Sequence, residues 1–341
     1  MVRKHPYLFN IFLLIGALII SVALGAVFIH PVTVLRILTH QLPGVEISID
    51  WPSSFAAIIL SVRLPHTVLV ALTGAALASS GAAYQGLFRN PLADPYLIGV
   101  AAGAGLGAVI AMSLRWPTNL FGYYLIPVGA FIGALVTVLL VYALANVNGF
   151  VPLTTLILAG VAVGAFSSAL TSMLMLRTDL QIHRAISFLL GGSPMLGWQP
   201  VFAALPYMLV GMGMLSLSGH TLNVLQFGEE EAKQMGLAVD RAKIFVILTA
   251  SLTTAVAVAF SGVIGFVGLI VPHIIRMVWG PDYRHLIPLS VLAGASMLLF
   301  ADMLARILLA PSTVPIGIIT AMAGAPFFLW ILRRAKQKVF W

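Results

Sequence analysis

Residues 244–275, IFVILTASLTTAVAVAFSGVIGFVGLIVPHII, form a run of 32 positions without Asp, Glu, Lys or Arg. A single helix of that length would reach about 48 Å, whereas the hydrocarbon core of a bilayer is only about 30 Å thick. Ser261 and Gly262 stand in the middle of the run, where a glycine favours a break. We therefore predict two membrane-spanning helices, at about 244–260 and 262–279.

The composition extends this interpretation to the whole chain. Of its 341 residues, 60% are hydrophobic and only 8% are charged, whereas soluble domains have about 25% charged residues. So few charges cannot cover a soluble surface, and the apolar residues suffice for about ten spans of ~20 residues each. The sequence predicts an all-α, polytopic membrane protein in which 1–341 forms a single transmembrane domain.

Cutting the sequence at charges, prolines and polar clusters gives ten predicted spans. Their approximate bounds are 8–29, 66–87, 96–114, 121–145, 153–176, 199–217, 244–260, 262–279, 286–308 and 315–332.

The distribution of positive charge predicts the orientation of these spans. An even number of spans places both termini on one side, and twelve of the 18 Lys and Arg residues then share that side with the termini. Because cytoplasmic segments are enriched in Lys and Arg, we predict that both termini are cytoplasmic. This topology places 219–243 and the start of the fifth span in the cytoplasm, and Arg63 and Arg306 on the outer face.

Several function classes are disfavoured by what the sequence lacks. It has no cysteine, which excludes disulfides, thiolate metal sites and a cysteine nucleophile. Its net charge of +8 comes from basic residues at the ends of apolar runs, a placement that is typical of membrane orientation and not of nucleic-acid binding. No phosphate-binding Gly-x-x-x-x-Gly-Lys-Ser/Thr loop and no His-Glu-x-x-His motif occurs. We predict no metal, no cofactor, no nucleic-acid partner and no ATP site in this chain, and membrane lipid around it.

The most polar segment, 219–243, is predicted to be a cytoplasmic coupling segment. Acidic Glu229–Glu231 suit the start of a short helix, and Gly236 suits its end. A preceding short helix would join it at Gly228. The segment keeps apolar residues, among them Leu225 and Phe227, although it faces water. Such residues indicate a docking surface, although a plain solvated loop is the alternative.

Several motifs occur together in one order along the chain. They are Arg63-Leu64-Pro65, Asn90-Pro91-Leu92-Ala93-Asp94-Pro95, Leu158-Ala159-Gly160, Gly191-Gly192-Ser193, Gly228-Glu229 with Ala232 and Gly236, Gly265-Phe266-Val267-Gly268-Leu269-Ile270-Val271-Pro272-His273, Val314-Pro315-Ile316-Gly317 and Gly324-Ala325-Pro326-Phe327. In this combination the chain resembles the FecCD-type permeases, the membrane subunits of ABC importers for iron–siderophore complexes, haem and cobalamin.

The resemblance implies a type II ABC importer permease in the bacterial cytoplasmic (inner) membrane. It implies a homodimer with the substrate path between two copies, and two ATP-binding-cassette ATPase subunits docked on the coupling segment. The residues implied in that docking are Leu225, Phe227, Gly228, Glu229, Ala232 and Gly236.

The resemblance also implies a periplasmic or surface-anchored substrate-binding protein that docks on the outer face. Arg63, His66 and Arg306 are the docking candidates, with His66 standing where the family often has a second arginine. A further alternative is that Arg63 only anchors a helix end and that Arg306 is held by Asp302. Position and resemblance together predict a cytoplasmic gate at Leu153 and Thr154.

The sequence has two alternative interpretations from other functional classes. A self-sufficient secondary transporter would need no ATPase, but few acidic residues fall within the spans to couple an ion gradient. A membrane-embedded enzyme would need catalytic motifs that the sequence does not display.

Overall fold

The computed structural model describes residues 5–25, 27–45, 48–114, 120–146, 151–176, 182–193, 195–310 and 312–339. Its helices in chain order are α1 Pro6–Ala23, α2 Pro31–His40, α3 Ser53–Ala57, α4 Leu64–Leu87, α5 Val100–Ser113, α6 Leu120–Ala145, α7 Leu153–Met175, α8 Ile182–Leu189, α9 Trp198–Leu217, α10 Gly219–Leu225, α11 Glu229–Gln234, α12 Val239–Ser261, α13 Val267–Trp279, α14 Tyr283–Leu308 and α15 Ile316–Val339.

The predicted ten spans are confirmed within the described residues. Seven helical segments are long and apolar enough to cross a membrane, and three shorter apolar helices, α5, α13 and the first part of α15, complete the set. The buried core lies mainly around α4, which packs against α14, α12, α13 and α9. α4 is therefore the central helix of the protomer.

The second span begins earlier than the sequence suggested. Helix runs continuously from Ser53 through a π-helical turn, Ile58–Arg63, into α4. The first span, by contrast, ends at Ala23 and not at 29. The early start of the second span and the early end of the first are in contact, because the Arg63 side chain donates to backbone carbonyls at the end of α1.

The long uncharged run divides where it was predicted to divide. α12 ends at Ser261, and Gly262 has a φ of 76°, a conformation that suits glycine. However, α13 begins only at Val267, so 262–266 is not helical. Tyr96 provides hydrogen-bond partners for the backbone of Ile264 in this stretch. Its hydroxyl donates to the Ile264 carbonyl at 2.8 Å and lies 3.2 Å from the Ile264 amide nitrogen. Non-helical backbone at membrane depth requires such internal partners.

Small residues spaced four positions apart let two of the helices approach closely. Gly103 and Gly107 of α5 face Gly129 and Gly133 of α6, and a Cβ atom at Gly107 would collide with the carbonyl of Gly129. Close backbone approach of this kind supports helix association inside a membrane, where the hydrophobic effect contributes little.

Both ends of the described chain lie on one side of the molecule. Near the start of α1, the Tyr7 hydroxyl is 3.0 Å from His285 Nδ1, which is in the first turn of α14. α15 runs parallel to α13, since Gly324 contacts Phe266 and the ring of Phe327 lies 6.2 Å from that of His273. The last part of α15 therefore approaches the same face as Trp279 and Tyr7.

Candidate functional site

The coupling segment consists of two short helices, as predicted. α10 and α11 meet at Gly228, which has a φ of 124°. All three residues of Glu229–Glu231 lie in the first turn of α11. The helix ends with Gly236 at a φ of 85° and with the Leu237 amide donating to the Ala232 carbonyl at 3.0 Å, the arrangement of a glycine C-cap.

One face of this helix pair packs inward and the other is exposed. Leu225 and Ala232 are buried, with exposures of 4% and 0%. Phe227 is 71% exposed and Met235 is 56% exposed. The inward residues therefore fix the position of the segment, and the two exposed apolar side chains form the surface that it presents. We call Phe227 and Met235 the apolar pair.

An ion pair holds α11 to the membrane domain. Lys243 Nζ of α12 lies 2.6 Å from Glu229 Oε2, and the lysine side chain is nearly buried. Removing one partner of a buried pair is costly because the other charge then stays buried alone. Glu229 therefore orients α11, whereas Glu230 and Glu231 are exposed to solvent.

Sequence reasoning missed the residue that attaches α10 to α14. The Asn223 amide donates to Asp282 Oδ1 at 2.6 Å, and its carbonyl accepts from the Tyr283 amide at 2.9 Å. Asn223 and Asp282 are 59 positions apart, and neither belongs to a motif that would link them. No local sequence feature could have identified this contact.

On the opposite face, four ionisable residues meet beside a cavity of about 410 Å³. Asp302 is buried, with His66 Nε2 at 2.9 Å from one carboxylate oxygen and Arg306 Nη2 at 2.9 Å from the other. Arg306 also donates to the Leu24 carbonyl at 2.8 Å and to the Ser21 carbonyl at 3.0 Å. We call Arg63, His66, Asp302 and Arg306 the outer cluster.

The three docking candidates thus come together, but they differ in accessibility. Arg63 is only 8% exposed and donates to the carbonyls of Val22, Ala23 and Val27. These contacts match the alternative in which Arg63 anchors a helix end, since they cap α1 with a positive charge. His66 keeps a side chain that is 30% exposed, so it is the most accessible of the three.

Replacing Arg63 by Ala is expected to lower the stability of the folded chain by about 2 kcal/mol or more, because hydrogen bonds to a charged group contribute about 1.5–3 kcal/mol each. Arg63→Lys should be intermediate, since an ammonium keeps the charge but loses the planar fork. Thermal unfolding of the purified protein in detergent measures the effect. An unchanged unfolding temperature for Arg63→Ala would contradict the anchoring role.

At the predicted gate, the structure describes 151–176 and not 147–150. α7 begins at Leu153, directly after Pro152. Leu153 is half-buried against the core, whereas Thr154 is exposed. Exposed residues then recur along α7 at helical spacing, at Leu158, Val161 and Ala165. Among the residues that the structure describes, a face of α7 that starts at Thr154 therefore has no partner.

The comparison with known families now identifies this architecture. The family model described as the FecCD transport family matches residues 13–334. The chain belongs to the FecCD transport family. The resemblance drawn from the motifs is thus confirmed over nearly the whole sequence.

Individual relatives agree with this assignment. The chain is 44% identical to the cobalamin import system permease protein BtuC of Halobacterium salinarum, over 86% of this chain and 82% of the relative. It is 42% identical to the hemin transport system permease protein HmuU of Yersinia pestis, over 82% of this chain and 84% of the relative.

A solved structure shares the fold. It is described as an inward-facing conformation of a metal-chelate type ABC transporter, and it matches with a TM-score of 0.79 and 29% identity over 95% of this chain and 97% of its own. The type II importer fold predicted from the motifs is therefore confirmed. This FecCD-family chain is a multi-pass integral protein of the cytoplasmic membrane and the permease component of an ABC importer, and the secondary transporter is not favoured.

Proposed function

We propose that this permease imports a bulky metal chelate as a homodimer, driven by ATP hydrolysis in two separate ATPase subunits. The whole chain, 1–341, serves as one transmembrane permease domain, with 219–243 as its cytoplasmic coupling segment. The proposal rests on the apolar pair, Phe227 and Met235, which is exposed on an ordered helix pair of a FecCD-family fold. Exposed apolar residues on a rigid support suit a docking partner.

The substrate class follows from the relatives. Their names give cobalamin and hemin as cargo, and the solved structure is described as a metal-chelate transporter. An iron–siderophore complex belongs to the same class of large, metal-bearing molecules. The cargo of this chain is therefore one of these chelates, delivered by a periplasmic or surface-anchored binding protein.

The free face of α7 supports a second copy of the chain as the partner that completes the path. It begins at the proposed gate residue Thr154, next to the half-buried Leu153, and continues with apolar side chains such as Leu158 and Val161. Two such faces brought together by a twofold axis would enclose a path whose cytoplasmic end is Thr154. An isologous contact of this kind is the commonest symmetry of homodimers.

In this scheme the outer cluster receives the binding protein through His66 and Arg306, with Arg63 positioned behind them. His66→Arg places a permanent positive charge at the most accessible member, where the family often has arginine. We expect capture of the binding protein to accelerate severalfold at low ionic strength and the difference to shrink with salt, since charge steering acts on association rate. Surface plasmon resonance on the reconstituted permease complex measures the rate.

Gln41→Arg is the matched control for that measurement, because it adds the same charge at an exposed residue near the outer end of α2. Its rate should change less than that of His66→Arg. Equal rates for the parent and His66→Arg at low salt, or equal gains in the two variants, would refute docking at the outer cluster.

Stimulated ATP hydrolysis tests the function as a whole. The complex of permease and ATPase subunits is reconstituted in vesicles, and its hydrolysis is followed with the binding protein loaded with cobalamin, haem or a ferric siderophore. One of these should raise the rate above that with the empty binding protein. No stimulation by any metal chelate would contradict the proposed substrate class.

A further inference from the structure

The contact between α10 and α14 involves more than one hydrogen bond. Asn223 uses both ends of its side-chain amide, donating to Asp282 and accepting from the Tyr283 backbone. Gly219 packs on the backbone of Tyr283 and Arg284 so closely that a Cβ atom there would collide with it. α10 therefore lies directly on the first turn of α14, with Asn223 as the polar link.

Asp282 makes that link sensitive to the position of α14. Its carboxylate caps the helix by accepting from the Arg284 amide at 3.0 Å. Hydrogen bonds from the Arg284 side chain and from Asn223 hold the pKa of Asp282 well below its usual range, so the group is charged at neutral pH. A charged acceptor strengthens the bond from the Asn223 amide.

α14 spans the distance between the two candidate sites as one continuous helix. Its 26 residues extend about 39 Å at 1.5 Å per residue. α1 runs beside α14 and is hydrogen-bonded to it near both ends. Tyr7 of α1 contacts His285 in the first turn of α14, and Arg306 in the last turn of α14 donates to Ser21 and Leu24 at the end of α1. α1 and α14 therefore form a pair of parallel helices, with the outer cluster near one end and Asn223 near the other.

A second polar contact from the coupling segment reaches a different helix. The Gln226 amide donates to the Gly86 carbonyl of α4 at 3.0 Å. The attachment of the segment does not depend on Asn223 alone, since Leu222 and Leu225 are buried beneath it. Removing the Asn223 link is therefore expected to leave α10 folded and in place while removing its hydrogen bonds to α14.

We propose that Asn223 is a positioning residue that couples the ATPase-docking segment to the outer face through α14, by its paired hydrogen bonds to Asp282 and Tyr283. The inference rests on the proposed function, because it needs an ATPase bound at the segment and a binding protein bound outside. In this proposal the signal between the coupling segment and the outer face passes through α14 and not through α4, although both helices contact the segment. Allosteric coupling is a free energy shared between two sites, and in this scheme the hydrogen bonds of Asn223 contribute to it.

The test compares basal and stimulated ATP hydrolysis in the reconstituted complex, using the binding protein loaded with whichever of cobalamin, haem and a ferric siderophore stimulates the parent most. Asn223→Ala should retain the ATPase subunits and basal hydrolysis, and should lose stimulation by roughly fivefold or more, the low end of ordinary allosteric couplings. Gln226→Ala, which loses the contact with α4 on the same segment, should keep its stimulation.

A reciprocal exchange separates coupling from simple loss of structure. Asn223→Asp places a second carboxylate against Asp282 and should abolish stimulation by repulsion. Combining it with Asp282→Asn restores one amide and one carboxylate in exchanged positions, and asparagine still caps a helix start. The double variant should recover most of the stimulation that Asn223→Asp loses.

The possible results separate failure of the proposed import function from failure of the coupling role of Asn223. If the parent complex shows no stimulation at all, the proposed function is wrong. If the parent is stimulated and Asn223→Ala is stimulated equally, the coupling role of Asn223 is overturned. Equal loss in Asn223→Ala and Gln226→Ala, or no recovery in the double variant, would likewise overturn it, by showing only a general need for an intact segment.

Discussion

Replacing Phe227 by Asp is expected to detach the ATPase subunits from the purified permease and to abolish transport. Phe227 is 71% exposed at the junction of α10 and α11, whose inner face is packed. An aromatic side chain at the centre of a docking surface contributes about 2 kcal/mol or more, which corresponds to roughly thirtyfold in affinity, and a carboxylate there adds a desolvation cost. Co-purification of the ATPase with the tagged permease measures the loss.

Three further variants make that result specific. Phe227→Leu keeps an apolar side chain and should retain most of the ATPase. Glu230→Gln changes an exposed residue of the same segment and should have little effect. Leu225→Asp is a poor probe, because Leu225 is buried and a charge there would destabilise the fold itself. Undiminished ATPase recovery with Phe227→Asp would remove the apolar pair from the docking surface.

Joining the two copies at residue 154 is expected to stop transport completely and reversibly. Thr154 is exposed at the start of α7, and the proposed gate requires it to approach its symmetry mate when the path is closed. The chain contains no cysteine, so Thr154→Cys introduces the only thiol in the permease. Oxidation should form a disulfide if the two Cα atoms come within about 7 Å. Uptake should cease on oxidation and return on reduction.

Thr154→Ser treated with the same oxidant is the control, because it keeps a small polar side chain without a thiol. Its transport should not respond to oxidation. The cross-linked species is read as a dimer on a non-reducing gel, in the presence and absence of nucleotide. If no dimer forms in any nucleotide state, the two α7 helices do not meet at Thr154 and the gate lies elsewhere.

The span count was predictable because apolar length and a bilayer's thickness together leave few solutions. The break at Ser261 and Gly262 followed from that constraint, and the structure confirms it. The unwound stretch 262–266 was not predictable, since its backbone is satisfied by Tyr96 from a segment 168 positions away. Local sequence marks where a helix must stop, but the partner that permits the stop is set by tertiary packing.

The same limit applies to the sites. The two helices of the coupling segment could be inferred from Gly228, the acidic first turn and Gly236, which act locally. The burial of Arg63 could not be inferred from the sequence, because the carbonyls that accept its hydrogen bonds lie at the end of α1, about 40 positions earlier. An arginine that caps a buried helix end and one that awaits a partner look identical in sequence.

Uptake into sealed vesicles tests the central claim most directly. The permease is reconstituted alone, with its ATPase subunits, and with both the ATPase and the loaded binding protein, and accumulation of labelled cobalamin, haem or ferric siderophore is followed. An ABC importer permease should accumulate chelate only when all components and ATP are present. Accumulation by the chain alone under a proton or sodium gradient would contradict the assignment.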